Sequence, residues 1–158
     1  MRLDNKTIKY QLKTCLGLDP SASKIVVVGL GVTGVSIARF LMELGFDFVI
    51  ADSRDNSPLS EHEKNEFKNI TILNGAFDHG LFSDSSHLIV SPGVPLTEKA
   101  IVTAIQKGTK IVGDIDLFSC SVTTPIIAIT GSNGKSTVTT LLGEMAKADR
   151  KQTGVGGN

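Results

Sequence analysis

The residues best suited to chemistry lie at 126–140, IIAITGSNGKSTVTT. A short apolar run enters a glycine-rich turn, then Lys-Ser-Thr, then residues able to start a helix. This is the layout of a phosphate-binding loop. Backbone N–H groups in the turn and at a helix N-terminus converge on an anion, and a lysine reaches the outer phosphates. Gly131 and Gly134 would supply conformations that a Cβ penalises and let the main chain approach closely. Ser136 would place its hydroxyl on the nucleotide's magnesium ion. The usual motif has four residues between its glycines, whereas only Ser132 and Asn133 lie between these two. The bland alternative is a Gly/Ser/Asn turn with an exposed Lys135; the apolar run before it and GKST after it favour phosphate.

A second constellation lies upstream. Residues 24–29, KIVVVG, form a β-branched run of the kind buried on both faces of a parallel sheet. They run into Gly29-Leu30-Gly31-Val32-Thr33-Gly34, a full G-x-G-x-x-G. The pattern predicts a helix over 33–44 with Val35, Ala38, Leu41 and Met42 inward, Gly45 as its stop, and a second strand over 46–51 ending at Asp52. Such glycines allow a tight turn and close approach to a pyrophosphate. An acidic side chain about twenty residues on could bind a ribose or base edge, and Asp52 stands there. The competing reading is that the glycines only pack helix against strand.

The remaining elements must position these two loops. Residues 1–23 read as a short helix or arm outside the main sheet, with Ile8, Leu12, Cys15 and Leu16 near one face. After a solvated helix to about Phe67, strands are predicted at 70–73, 87–90 and 110–112, with a loop or single helical turn over 75–86. Ser91-Pro92-Gly93 makes a rigid connection at a strand's carboxyl end, where ligands of open α/β sheets bind, so Gly93 is a candidate backbone contact. An amphipathic helix over 98–107 uses Ala100, Ile101, Ala104 and Ile105. A short helix over 114–120 turns Ile115, Leu117 and Phe118 inward; its Asp114 and Asp116 suit the helix dipole and need no chemical role. The alternation predicts a Rossmann-like, doubly wound α/β sheet over 24–119, and 120–158 as the start of a P-loop ATPase-type α/β domain. That second part has a strand at 126–130, a helix to about Ala148 and the beginning of a strand at 153–155. One β-α pair and a stub cannot enclose a core, so the sequence is expected to break off inside a domain. The uncovered patch predicts a non-native dimer, docking or aggregation.

Composition narrows the function classes. The 158 residues are 41% hydrophobic and 20% charged, a globular balance. Lys plus Arg and Asp plus Glu both number 16, so no net field favours nucleic acid or a membrane surface. Sparse aromatics and the absence of Trp weaken base stacking. No apolar run approaches a membrane span or a secretion signal. Cys15 and Cys120 read as isolated, without metal-ligand spacing or a disulfide framework. His62, His79 and His87 read as surface residues. The expectation is a reduced, soluble, cytoplasmic protein.

GLGVTG followed by TGSNGKST and GVGGN resembles the amino-terminal part of the ATP-dependent Mur ligases of peptidoglycan synthesis, over residues 24–158. The short glycine spacing is that family's own form. GLGVTG with Ser36, the SPG at 91–93, the GDI at 113–115 and Asn133 in the loop favour its D-glutamate-adding branch. The resemblance implies that the first domain holds UDP-N-acetylmuramoyl-L-alanine. Val32 and Thr33 would bind its diphosphate, Asp52, Ser53 and Arg54 the uracil region, Gly93 the phosphate or sugar region, and Asn158 a further part of the substrate. It also implies that Gly131, Ser132, Asn133, Gly134, Lys135, Ser136 and Thr137 bind ATP, with Lys135 catalytic and Ser136 on Mg2+. The reaction would pass through an acyl phosphate attacked by the amine of D-glutamate. The family's other catalytic groups would lie beyond Asn158, so ligase activity and strong ATP binding are not expected from this chain alone. Competing readings are an NAD(P)-binding Rossmann redox or sensor module, a P-loop phosphotransferase, and a non-catalytic oligomerising unit.

Overall fold

A computed structural model of the chain describes residues 4–156. The chain divides into two compact units, one running through Thr123 and the other from Thr124.

The first unit opens with helix α1 (Asn5–Leu16), whose ends are set by local chemistry. Asp4 accepts the Thr7 amide at its start; at its end Gly17, at φ 78°, donates to the Lys13 carbonyl and the Leu18 amide to the Leu12 carbonyl. There follow β1 (Ile25–Val28), α2 (Val32–Glu43), β2 (Phe48–Asp52), α3 (Glu61–Glu66), β3 (Thr71–Asn74), α4 (His79–Asp84), β4 (His87–Val90), α5 (Lys99–Gln106), β5 (Lys110–Val112) and α6 (Asp114–Cys120). Ser60 and Glu63 cap α3 reciprocally, and Asp78 accepts the Gly80 and Leu81 amides at the start of α4.

All strand pairs are parallel, in the order β3-β2-β1-β4-β5. This is a doubly wound sheet whose order reverses between β1 and β4, the switch point at which such sheets bind ligands. Alternate side chains serve opposite faces. Ile25, Val27, Ile50 and Ile89 pack with α1, α2 and α6 through Leu12, Leu41 and Leu117. Val26, Val28, Leu88 and Val90 pack with α4 and α5 through Phe82, Ala100, Ile101 and Ala104.

Several expectations about inward faces need correction. Met42, Ile105, Ile115 and Phe118 are exposed, because each short helix meets the sheet along a narrower stripe than its apolar residues occupy. His87 is not a surface residue but is 3% exposed. It begins central strand β4, and its Nδ1 and Nε2 lie 2.9 Å from the Ser86 hydroxyl and 3.0 Å from the Leu16 carbonyl. The α1 segment thus covers it.

The second unit holds α7 (Lys135–Ala148). Gly143 is buried on it, with Val155 packed against its Cα. Residues 126–130 and 153–155 are not strands. A strand exists by pairing its N–H and C=O groups with a neighbour, and neither segment has one among the described residues. Ile126 and Ile127 are accordingly exposed.

Candidate functional site

The first candidate site lies at the carboxyl edge of the sheet, where β1, β2 and β4 end. Parallel pairing aligns Val28 with Ala51 on one side and with Val90 on the other. The segments after these three residues, 29–34, 52–54 and 91–94, therefore emerge side by side. Gly29, at φ 93°, turns the chain into the loop and donates its N–H to the Ala51 carbonyl at 2.8 Å.

Gly34 is the position where only glycine fits. A Cβ there would lie 1.8 Å from the Gly29 carbonyl oxygen, a backbone atom that cannot swing away. The same carbonyl accepts the Ser91 hydroxyl at 3.0 Å. The first and third glycines of the motif and the serine after β4 thus form one interlocked turn. The first backbone bond of α2 runs from the Val35 amide to the Gly31 carbonyl at 3.0 Å. Val32, Thr33 and Gly34 precede it, and helix starts of this kind present their amides to an anion. The Val32 side chain is 92% exposed, so it does not bury this edge.

Asp52 is 3% exposed and its carboxylate receives four hydrogen bonds. Oδ2 accepts the Leu30 amide at 2.6 Å and Arg54 Nη2 at 2.8 Å. Oδ1 accepts the Arg54 amide at 3.0 Å and Arg54 Nε at 2.7 Å. A carboxylate offers about four lone-pair sites, and these are filled. The Arg54 guanidinium, together with the Leu30 and Arg54 amides, outweighs burial and holds this carboxyl down at about 2. Ser53 and Arg54 remain exposed beside it, as does Gly93 in the turn closed by the Val94 amide on the Ser91 carbonyl.

Val32, Thr33, Asp52, Ser53, Arg54 and Gly93 are thus brought to one edge. The motif reading does not name two participants, the Leu30 amide and the Ser91 hydroxyl. A hint of the second is a polar residue placed directly after the apolar run Leu88-Ile89-Val90.

The second candidate site lies in the other unit. Gly131 and Gly134 both adopt positive φ, 148° and 77°, which a side chain would disfavour. The first bond of α7 runs from the Val138 amide to the Gly134 carbonyl, so Lys135, Ser136 and Thr137 precede it. Lys135 Nζ donates to the Gly131 carbonyl at 2.5 Å, which lays the ammonium across the loop. Ser132, Asn133, Ser136 and Thr137 are exposed.

This loop is rich in donors and suits nucleotide phosphates. The exposed Ser136 hydroxyl is the oxygen this loop would offer a magnesium ion, which usually keeps phosphate and water ligands of its own. Among the described residues no cluster of three or more His, Cys, Asp or Glu could hold a metal. Asn158 lies outside the described residues. No helix among them is long and apolar enough to cross a membrane.

Comparison with known proteins agrees with this layout. The family model "Mur ligase MurD-like, N-terminal domain" matches residues 23–113. A UDP-N-acetylmuramoylalanine--D-glutamate ligase of Marinobacter nauticus is 46% identical over 138 residues, covering 87% of this chain and 31% of that protein. The ligase of the same name from Pseudomonas aeruginosa is 45% identical over 133 residues, covering 84% of this chain and 30% of that protein. The chain therefore spans about a third of these relatives' length. A pseudomurein peptide ligase type C from Methanothermus fervidus matches in structure with a TM-score of 0.53 and 27% identity, over 80% of this chain and 26% of that one. The chain belongs to the Mur ligase family and carries its MurD-like N-terminal domain.

Proposed function

We propose that this chain supplies the UDP-sugar-binding domain and the ATP loop of an enzyme that joins D-glutamate to UDP-N-acetylmuramoyl-L-alanine in peptidoglycan synthesis, in the cytoplasm. The observation that carries the reading is the interlocked turn at the β1/β4 switch point, with the start of α2 open to a diphosphate. Val32 and Thr33 bind that diphosphate through their amides. Gly93 contacts the phosphate or sugar region, and Ser53 and Arg54 flank the uracil. With its acceptor sites filled, Asp52 serves this set by holding Leu30 and Arg54 in place.

In the second unit, residues 131–137 bind ATP. Lys135 leaves the Gly131 carbonyl to meet the outer phosphates, and Ser136 contributes to Mg2+ binding. ATP with Mg2+ would supply an activated phosphoryl group for the substrate carboxylate, with ADP leaving in that transfer and phosphate leaving when the amine of D-glutamate attacks. Lys135 and the loop amides hold the charge that grows on the transferring group. Asn158 is assigned to substrate contact on the resemblance alone. These 158 residues by themselves are not expected to turn over, since one lysine and one hydroxyl do not complete such a centre.

Thermal-shift titration of the chain tests the first half. UDP-N-acetylmuramoyl-L-alanine should stabilise it and NADH should not. Stabilisation by NADH alone would overturn the reading in favour of a dinucleotide module. The filled Asp52 carboxylate already weighs against that alternative, because an NAD ribose needs a carboxylate with acceptor sites to spare.

A further inference from the structure

Gly29 and Leu30 share one peptide group, and both of its polar ends are held by side chains from neighbouring strand ends. Its N–H donates to Asp52 Oδ2 at 2.6 Å, at the end of β2. Its carbonyl accepts the hydroxyl of Ser91, the residue after β4, at 3.0 Å. Asp52, Ser91 and the Leu30 side chain are all buried. Water therefore has little access to either bond, and turning this peptide over would strand a donor and an acceptor together. The chain beside it is tied in the same alternating way. The Gly29 amide donates to the Ala51 carbonyl at 2.8 Å, and the Ser91 amide donates to the Val28 carbonyl at 2.9 Å. Ser91 thus grips two successive carbonyls of the chain as it leaves β1, one with its amide and one with its hydroxyl.

We propose that Ser91 is a positioning residue for the diphosphate: with Asp52 it clamps the peptide between Gly29 and Leu30 at both ends, and so fixes the direction of the Val32 and Thr33 amides. This role rests on the UDP-sugar reading, in which those amides hold the diphosphate. Gly29, at φ 93°, is a residue type whose backbone adopts many orientations, so the direction of the peptide after it must be set from outside. Only Gly31 separates Leu30 from Val32, and a tilt of the clamped peptide passes directly to the start of α2. The hydroxyl on the carbonyl also polarises the peptide and strengthens its N–H bond to Asp52, so the two contacts reinforce each other. Both partners carry the clamp further. Ser91 opens the turn that contains Gly93, closed by the Val94 amide on the Ser91 carbonyl at 3.0 Å. Asp52 holds the amide and the guanidinium of Arg54. One peptide thereby joins the three segments that flank the diphosphate, the sugar region and the uracil. An apolar side chain at position 91 would leave the Gly29 carbonyl without this donor.

The test is calorimetric titration of the whole chain with UDP-N-acetylmuramoyl-L-alanine, well below its melting transition. Kd there reads only folded molecules, so a side chain that merely stabilised the fold would leave it unchanged. Ser91→Ala should weaken binding by about tenfold. In an Asp52→Ala background, where the other end of the peptide is already free, the same substitution should weaken it by less than about threefold. Amide hydrogen exchange of the wild type needs no substitution. The Leu30 amide should exchange at least about tenfold more slowly than the open Val32 and Thr33 amides, and Ser91→Ala should remove that protection ahead of the β1 amides. Ser91→Ala that binds as tightly as the wild type, an equal effect in both backgrounds, or a Leu30 amide as open as those of Val32 and Thr33 would overturn the role of Ser91. A wild-type chain that takes up no UDP-sugar would instead overturn the functional reading beneath it.

Discussion

The buried carboxylate of Asp52 accepts the Leu30 amide at 2.6 Å, tying the end of β2 to the glycine loop after β1. Asp52→Ala leaves that amide without its partner at a site closed to water. A cost of about 1–3 kcal/mol is expected in urea unfolding, the range for a stranded buried group. Affinity for UDP-N-acetylmuramoyl-L-alanine should fall with it by about tenfold, because 1.4 kcal/mol of lost positioning amounts to that factor. Unchanged affinity by calorimetry would separate the loop's geometry from binding.

The same residue sets an acid limit. Its folded carboxyl titrates at about 2, below the ordinary value of 3.8. Its contribution to stability is therefore complete above pH ~4 and lost as pH falls towards 2. Asp52→Asn should flatten that part of the stability curve measured by chemical unfolding.

His87 shapes the curve at milder pH. Burial lowers it below its ordinary 6.5, the Leu16 carbonyl opposes that shift, and Lys110 reinforces it. The unfolded chain then binds the proton more readily than the folded one. Stability should be full above about pH 6.5, decline as pH falls below it, and level off once the folded imidazole is charged. Denaturant midpoints across this range check the slope, and His87→Gln should abolish it.

Gly34 and Gly31 form a matched pair of substitutions. Gly34→Ala drives a Cβ into the Gly29 carbonyl, and the interlocked turn must open. A loss above about 3 kcal/mol, or failure to fold, is expected. Gly31 has open space and needs no positive φ, so Gly31→Ala should cost about 1 kcal/mol or less. Circular dichroism melts of the two variants read the contrast.

Lys135 lies exposed on its loop with a single bond to the Gly131 carbonyl. Lys135→Ala should therefore shift stability by less than about 0.5 kcal/mol. In an intact ligase carrying this loop it should abolish ADP formation. A phosphate-release assay on the 158-residue chain, with ATP, D-glutamate and the UDP-sugar, should show no D-glutamate-dependent turnover.

The sequence by itself determined what is local. An apolar run of β-branched residues marks β1, and the shorter apolar run Leu88-Ile89-Val90 marks β4. Asp4, Ser60 and Asp78 start helices, and Gly17 ends one. The spacing GLGVTG marks the tight turn, because each of these features acts through residues a few positions apart. The tertiary structure decided what depends on distant segments meeting. It filled the Asp52 carboxylate from Leu30, 22 residues away, and set the Ser91 hydroxyl on Gly29, 62 residues away. It buried His87 under the end of α1, 71 residues earlier, and left Phe118 and Ile105 in solvent despite their apolar character. It withheld strand structure from residues 126–130, whose β-branched sequence needs a neighbour to pair with. The physical reason is the same each time. Propensity and capping act along the chain, whereas pairing, burial and saturation of a polar group are properties of the space that the folded chain encloses.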